Sequence, residues 1–157
     1  MNEVARRAGL HGTSISRRWR TTDALLLDAL LTYSETHLPI PDTGSLRGDL
    51  TAFADRLVTY LAAPQGAALA RVMAAAGEDD AGLADARAKF WGTRYEEARI
   101  MIDRAIGRGD IPEKTDPSLV LELVIAPVHF RHLLTSQPIG DEFIERTVDV
   151  VVRGVRG

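Results

Sequence analysis

The chain has 157 residues, of which 45% are hydrophobic and 26% charged, and it contains no cysteine. This composition excludes a disordered, collagen-like or disulfide-stapled protein, and it excludes thiolate catalysis and cysteine-based zinc sites. The formal net charge is −3, but it is unevenly distributed. Residues 1–20 carry +4, from five arginines and one glutamate, and the remaining residues carry −7. This asymmetry is typical of a protein that binds a polyanion with one end.

Apolar residues recur at helical spacing almost throughout, so the predicted fold is all-α. Two short helices are predicted over residues 2–8 and about 12–19, separated by a turn at Gly9. Glycine accepts a left-handed backbone conformation there at little cost. Thr22–Asp23 is predicted to cap a third helix, which ends before the prolines at 39 and 41.

The remainder of the chain is predicted to form five more helices. Asp116 and Pro117 are a strong start signal, because aspartate caps a helix and proline suits its first position. Pro127 removes a backbone donor and is expected to kink the helix that contains it. The predicted ranges are 46–63, 67–76, 83–108, 117–135 and 141–153.

The segment Val4–Leu26 carries the most specific motif, and it has the sequence VARRAGLHGTSISRRWRTTDALL. It resembles the DNA-binding signature of TetR-type transcriptional regulators, a helix-turn-helix followed by a linker and a third helix. The resemblance implies a helix-turn-helix head over residues 1–36 and a helical-bundle body over residues 37–157 that binds a ligand and dimerises. It further implies a homodimer, in keeping with a repressor, that binds a palindromic double-stranded DNA operator and is released by a small apolar effector.

The side chains expected to face DNA lie on and beside the second predicted helix. Guanidinium groups can bond guanine edges or phosphates, and short hydroxyl side chains let a helix approach DNA closely. A solvated basic helix end would explain the charges but not the motif. The predicted DNA-binding residues are His11, Gly12, Thr13, Ser14, Ser16, Arg17, Arg18, Arg20 and Thr22.

The resemblance starts at the second helix of the family's head, so the head is expected to be truncated by one helix. An alternative function therefore stands beside the regulator. The chain could be a dimeric ligand-binding or interaction module that has lost DNA binding through this truncation. Operator binding distinguishes the two.

Aromatic and soft side chains of the body could line an apolar effector pocket, although each of them could instead simply fill the core. His129 and His132 lie three residues apart on one helix, but no carboxylate on the same turn completes a metal site. Neither a metal nor a cofactor is predicted. The predicted pocket residues are Phe53, Tyr60, Met73, Phe90, Trp91, Tyr95, Met101, His129 and Phe130.

No Gly-rich phosphate loop, nucleophile elbow or carboxylate pair is present, so an enzyme is not expected. No run of 18 apolar residues and no signal-peptide pattern occurs, which favours a cytoplasmic protein without a membrane partner.

The last two predicted helices are expected to form the dimer interface. The final helix has too many valines for one core-facing stripe, and Val150 in particular falls off that stripe. The predicted interface residues are Leu123, Val124, Val128, Phe143, Thr147, Val148 and Val151.

Overall fold

The computed structural model describes residues 21–75 and 81–156, together with Arg6, Gly9, His11 and Arg17. The chain is all-α, and the described part contains no strand, as the sequence predicts. A π-helical turn at Arg131–Thr135 extends the fifth helix. The helices are α1 (Thr22–His37), α2 (Leu46–Ala62), α3 (Pro64–Ala75), α4 (Ala81–Gly107), α5 (Pro117–Phe130) and α6 (Asp141–Arg156).

Side-chain caps define the starts of several helices. Asp116 caps α5 as predicted, because its carboxylate accepts the N–H of Ser118 at 2.9 Å. The predicted cap of α1 was wrong by one residue. Thr21 is the cap and accepts the N–H of Ala24 at 3.1 Å, while Thr22 is the first helical residue.

The linker between α1 and α2 is held by arginines. Its prolines end α1, and its backbone carbonyls need donors from elsewhere, since a buried carbonyl without a partner costs free energy. Arginines of α2 and α4 supply them, which fixes the end of α1 against both helices. The bonds run from Arg94 to Leu38 (2.8 Å), from Arg56 to Pro39 (2.8 Å) and from Arg104 to Pro41 (3.0 Å).

The core lies between α2, α4, α5 and α6. The 27 residues of α4 make it roughly 40 Å long, and it packs against α1, α2 and α5. Helix α2 in turn packs against α6. The largest fully buried side chains include Leu50, Leu61, Met101, Ile102, Leu121, Val124, Val128, Val148 and Val152.

The corner between α2 and α3 depends on Gly66. Only Ala63 separates the two helices, so their backbones must approach closely. A Cβ atom at position 66 would collide with the carbonyl oxygen of Tyr60. Glycine is therefore the residue that this corner accommodates, and it sets the position of α3 relative to Tyr60.

Helix α5 and the π-helical turn form an unusually apolar segment. The residues Pro117–Thr135 have a mean hydropathy of 1.3, and this is the one helix in the described ranges that is long and apolar enough to cross a membrane. One of its faces packs into the core through Val120, Leu121, Val124 and Val128. Only 22% of the segment is buried within the chain, so much of its apolar surface faces outward.

Candidate ligand cavity and dimer surface

A cavity of about 140 Å³ lies between α1, α2, α3, α4 and α5. It arises because the amphipathic stripes of five helices converge there, and its walls are mainly apolar. The structure brings seven of the nine predicted pocket residues to this cavity: Phe53, Tyr60, Met73, Phe90, Trp91, Tyr95 and His129.

The structure does not place the other two predicted pocket residues in the wall. Met101 is completely buried in the core, beyond Ala98, the last residue of α4 that borders the cavity. Phe130 is 55% exposed on the outer side of α5. It follows His129 by one residue, and one residue turns a helix by about 100°, so the two side chains face different ways.

Aromatic rings form one part of the cavity wall. The Trp91 ring centroid lies 5.4 Å from that of Phe90, 6.1 Å from that of Tyr95 and 5.9 Å from that of His129. The contacts with Phe90 and His129 are edge-to-face, which is a favoured geometry for aromatic pairs. The rings of Phe90, Trp91, Tyr95 and His129 therefore form one cluster in the cavity wall.

Polar side chains form another part of the wall, and two of them, Tyr60 and Arg94, have partners at the C-terminal end of α1. The Tyr60 hydroxyl of α2 lies 3.1 Å from the Ser34 hydroxyl of α1. Arg94 of α4 is buried, donates to the Leu38 carbonyl and forms an ion pair with Glu97 at 2.5 Å. Two groups of the cavity wall thus hold the C-terminal end of α1.

Ser34 and Arg94 also line the cavity, although the sequence interpretation did not select them. A positional signal was present for both. Ser34 lies four residues after Leu30, and Arg94 lies three and four residues after Trp91 and Phe90, so each falls on an apolar helix face. A polar residue within such a stripe indicates a buried polar contact.

Two polar side chains of the cavity wall have an unused acceptor, His129 and Tyr95, and no hydrogen bond of the Tyr95 hydroxyl is present among the described residues. The Nδ1 of His129 lies 3.1 Å from the Ile125 carbonyl. A carbonyl only accepts hydrogen bonds, so Nδ1 carries the proton and Nε2 carries a lone pair. Burial lowers the pKa of His129, an effect opposed by the hydrogen bond to Ile125. The imidazole is therefore neutral at neutral pH.

The tyrosines of the cavity are also uncharged. Burial raises the pKa of Tyr60, against a smaller opposing effect of the Ser34 hydrogen bond. Burial, followed by the charge of Glu122, raises the pKa of Tyr95. Within the described residues, no group of three or more histidine, aspartate or glutamate side chains is placed to hold a metal ion.

A second apolar surface, the α5–α6 groove, lies on the outside of the last two helices. It is an open groove of about 1100 Å³ between α5 and α6. Isolated exposed apolar residues are common, but a contiguous group indicates a contact surface. The large apolar side chains exposed in or beside it are Leu119, Leu123, Phe130 and Val150, with exposed fractions from 48% to 71%.

The predicted dimer residues divide between this groove and the core. Val124, Val128 and Val148 are at most 1% exposed and pack inside the chain, so their assignment to an interface was wrong. Each lies on the side of its helix that faces the other core helices. Val150 is 71% exposed, as its position off the core stripe predicts. The predicted residues that do line the groove are Leu123, Phe143, Thr147 and Val151.

Charged side chains of both signs border the α5–α6 groove. Arg131 lies 3.6 Å from the centroid of the Phe143 ring and donates to the Pro138 carbonyl at 2.6 Å. The guanidinium therefore lies over the Phe143 ring, and both side chains line the groove. The charged lining residues are Lys114, Asp116, Arg131, Glu142 and Arg146.

Few of the predicted DNA-binding residues lie in the described part of the chain. His11, Arg17 and Thr22 are all exposed, and Arg17 is helical. Gly9 adopts the predicted left-handed conformation, with φ of 67°, and its N–H bonds to the Arg6 carbonyl at 3.3 Å. The predicted residues that fall outside the described residues are Gly12, Thr13, Ser14, Ser16, Arg18 and Arg20.

Comparisons with known proteins agree with this architecture. Residues 40–151 match the family model of the tetracycline repressor-like C-terminal domain. The chain is similar to a solved structure of a TetR family transcription regulator, SCO0332, with a TM-score of 0.83 and 29% identity over 98% of this chain and 85% of that one.

Two curated relatives are helix-turn-helix regulators. The HTH-type transcriptional regulator AqdR of Rhodococcus erythropolis is 40% identical over 138 residues, or 87% of this chain. The alignment covers 66% of that relative, so the chain spans just under two thirds of its length. The uncharacterized HTH-type transcriptional regulator YdeS of Bacillus subtilis (strain 168) is 25% identical over 156 residues, or 99% of this chain and 79% of that protein.

Proposed function

The chain belongs to the TetR family of transcriptional regulators, and we propose that it is a cytoplasmic homodimeric regulator, in keeping with a repressor, rather than an enzyme. Residues 1–36 bind a palindromic DNA operator, and residues 37–157 dimerise and sense a small apolar effector. One observation carries the proposal: the cavity lies directly against α1, the helix that follows the basic N-terminal segment.

DNA binding is supported by the basic charge of residues 1–20 and by the motif within them. If Arg17, Arg18 and Arg20 of each protomer neutralise six phosphates per dimer, log affinity falls with log salt with a slope of about −5. Fluorescence anisotropy with DNA from upstream of the chain's own reading frame, repeated at several salt concentrations, measures this slope. The alternative module without DNA binding predicts no binding even at low salt.

A pair of double variants tests whether the predicted residues carry the DNA contact. Arg17→Ala with Arg18→Ala should abolish operator binding while dimer mass stays unchanged. Arg99→Ala with Arg108→Ala removes the same charge from α4 and the turn that follows it, and it should leave operator binding within about twofold because those arginines lie on the body. Equal losses in both variants would contradict a specific role for the head arginines.

The connection between cavity and head runs through two contacts of α1. Tyr60 reaches Ser34, and Arg94 reaches the Leu38 carbonyl, and all four residues border the cavity. A ligand that occupies the cavity competes for the same space and the same polar groups. Its differential binding to two positions of α1 would shift their populations, and the head segment would move with α1.

Hydrogen exchange tests this connection without a ligand. In Tyr60→Phe the bond to Ser34 is lost and the ring is kept, so amides in the C-terminal half of α1 should exchange several-fold faster. Tyr33→Phe is the matched control, because the ring of Tyr33 packs beside Tyr60 but no hydrogen bond of its hydroxyl is present in the described chain. Unchanged amide exchange in Tyr60→Phe would contradict the connection between the cavity and α1.

A second copy of the chain is the proposed occupant of the α5–α6 groove. A twofold interface brings the same patch together twice, so it must be complementary to itself. The groove meets this requirement with exposed apolar side chains at its centre and charges of both signs at its border. Dimerisation would also cover the outward apolar face of Pro117–Thr135.

A further inference from the structure

The size of the cavity limits what it can hold. Its volume is about 140 Å³. An engineered apolar protein cavity of about 150 Å³ stays free of water and binds benzene. The cavity therefore suits a molecule of one ring or two small fused rings, and a larger ligand would need the helices to move apart.

The wall of the cavity favours a planar ring. Trp91 stands at the centre of an aromatic group, with its ring 5.9 Å from that of His129 and 6.1 Å from that of Tyr95. Aromatic side chains gain from offset and edge-to-face contacts with another ring beyond the area they bury. An aliphatic molecule of the same volume would forgo those contacts.

The charges around the cavity favour an uncharged ligand. Arg94 is the cation in the wall, and its charge is already balanced by Glu97 at 2.5 Å. His129 is neutral, because burial lowers its pKa. A carboxylate in the cavity would lose its hydration. It would find no unpaired cation in the wall, since Arg94 is already paired with Glu97. Burying a charge without a partner is costly.

The polar groups of the wall then decide which hydrogen bond a ligand can form. The Tyr60 hydroxyl is paired with Ser34, and Arg94 bonds to Glu97 and Leu38. The Tyr95 hydroxyl, which can donate or accept, has no partner among the described residues, so a variant at Tyr95 must be compared with one at His129. His129 Nε2 is an acceptor, and no hydrogen bond to it is present in the part of the chain that the structure describes. The complementary group on a ligand is an N–H or O–H donor.

Resting on the function proposed above, we propose that the cavity binds an uncharged aromatic molecule of one or two fused rings whose N–H or O–H group donates to Nε2 of His129. Phenols and indole-like heterocycles have this chemistry. The apolar wall supplies most of the binding, and the imidazole determines which of several similarly shaped rings is preferred.

Isosteric probes test the proposal on the full chain in the absence of DNA. Indole and benzofuran have nearly the same shape, but indole has an N–H donor where benzofuran has an oxygen acceptor. By isothermal titration calorimetry, indole should bind about tenfold more tightly than benzofuran, as one hydrogen bond supplies. Benzoate should bind more weakly than phenol by at least a similar factor.

Two variants identify the acceptor. In His129→Phe an aromatic ring is kept and the lone pair is lost. The two probes should then bind with about equal affinity. Tyr95→Phe removes another hydroxyl of the cavity wall and should retain the preference. If His129→Phe does not fold, as judged by circular dichroism, the two probes on the wild-type chain still show whether the cavity prefers a donor, and Tyr95→Phe shows whether the Tyr95 hydroxyl is the acceptor.

The outcomes separate this inference from the proposed function. Equal binding of indole and benzofuran, tighter binding of benzoate than of phenol, or no saturable binding of any probe would overturn the inference. Loss of the preference in Tyr95→Phe instead of His129→Phe would overturn the role of His129. A chain that binds indole selectively but no operator would keep the inference and contradict the regulator. Operator binding without probe selectivity would do the reverse.

Discussion

The cavity and the α5–α6 groove are both apolar, but they differ in how the chain closes them. Five helices surround the cavity, and Tyr60 and Arg94 in its wall have partners on α1 or α4. The groove lies open between two helices, with side chains such as Val150 exposed to 71%. The cavity therefore suits a small molecule, whereas the α5–α6 groove needs a protein surface of matching size and shape to cover it.

Apolar character alone therefore does not identify the kind of binding site. Closure decides whether the natural occupant is a small molecule or a protein surface, because a small ligand must be largely surrounded whereas a helix can be covered from one side. The two sites share no lining residue, so changes at one should leave the other nearly unaffected.

A charge at Val148 tests which side chains of α6 belong to the core and which to the groove. Val148→Asp should unfold the chain, at a cost of more than about 4 kcal/mol, because a carboxylate would be buried without a partner at a position with no exposed surface. Urea unfolding followed by circular dichroism measures this. A folded Val148→Asp protein would mean that Val148 faces outward and that the assignment of faces is reversed.

The next effect concerns the groove itself. Val150→Asp should yield a folded monomer, with the dimer dissociation constant raised about 100-fold, because two copies of the new charge would meet an apolar surface. Analytical ultracentrifugation measures the change. Ile100→Asp, at an apolar residue of α4 that is exposed and outside the groove, is the matched control and should leave the dimer intact. An unchanged dimer in Val150→Asp would move the interface elsewhere.

A smaller effect acts on the cavity alone. Gly66→Ala should destabilise the chain by about 2 kcal/mol, because the added Cβ would push against the Tyr60 carbonyl and displace a cavity wall. Gly92→Ala, in α4 with open space around the new Cβ, should stabilise by about 0.5 to 1 kcal/mol. Chemical unfolding compares the two. Equal effects would show that the α2–α3 corner is not tightly packed.

The smallest expected effect is a pH dependence that originates in the cavity. The folded-state pKa of His129 is lowered by burial, so the unfolded chain takes up the proton first as pH falls. The free energy of unfolding should therefore decrease as pH falls below about 6.5 and level off below the folded-state pKa. His129→Gln should reduce this loss between pH 7.5 and 5.5. Identical pH profiles of the two proteins would show that His129 is not protected from protonation.

Local sequence signals determined most of the architecture of this protein. The spacing of apolar residues predicted the six described helices, Asp116 and Pro117 predicted the start of α5, and Gly9 predicted a left-handed turn. Seven of the nine predicted pocket residues line one cavity, because helical periodicity indicates which side chains face inward. The segment Val4–Leu26 indicated the family, because its residues hold their order and spacing within one short stretch.

The tertiary structure alone decided which of two apolar faces turns inward on α5 and α6. Leu123 and Val124, or Val148 and Val150, are equally apolar by sequence, and only the packing of α2 and α4 against one side buries one member of each pair. The same holds for Ser34 and Arg94, whose role in the cavity depends on partners 26 and 56 residues away in the chain. Periodicity gives the angle between side chains on a helix, whereas burial depends on which neighbouring helix covers them.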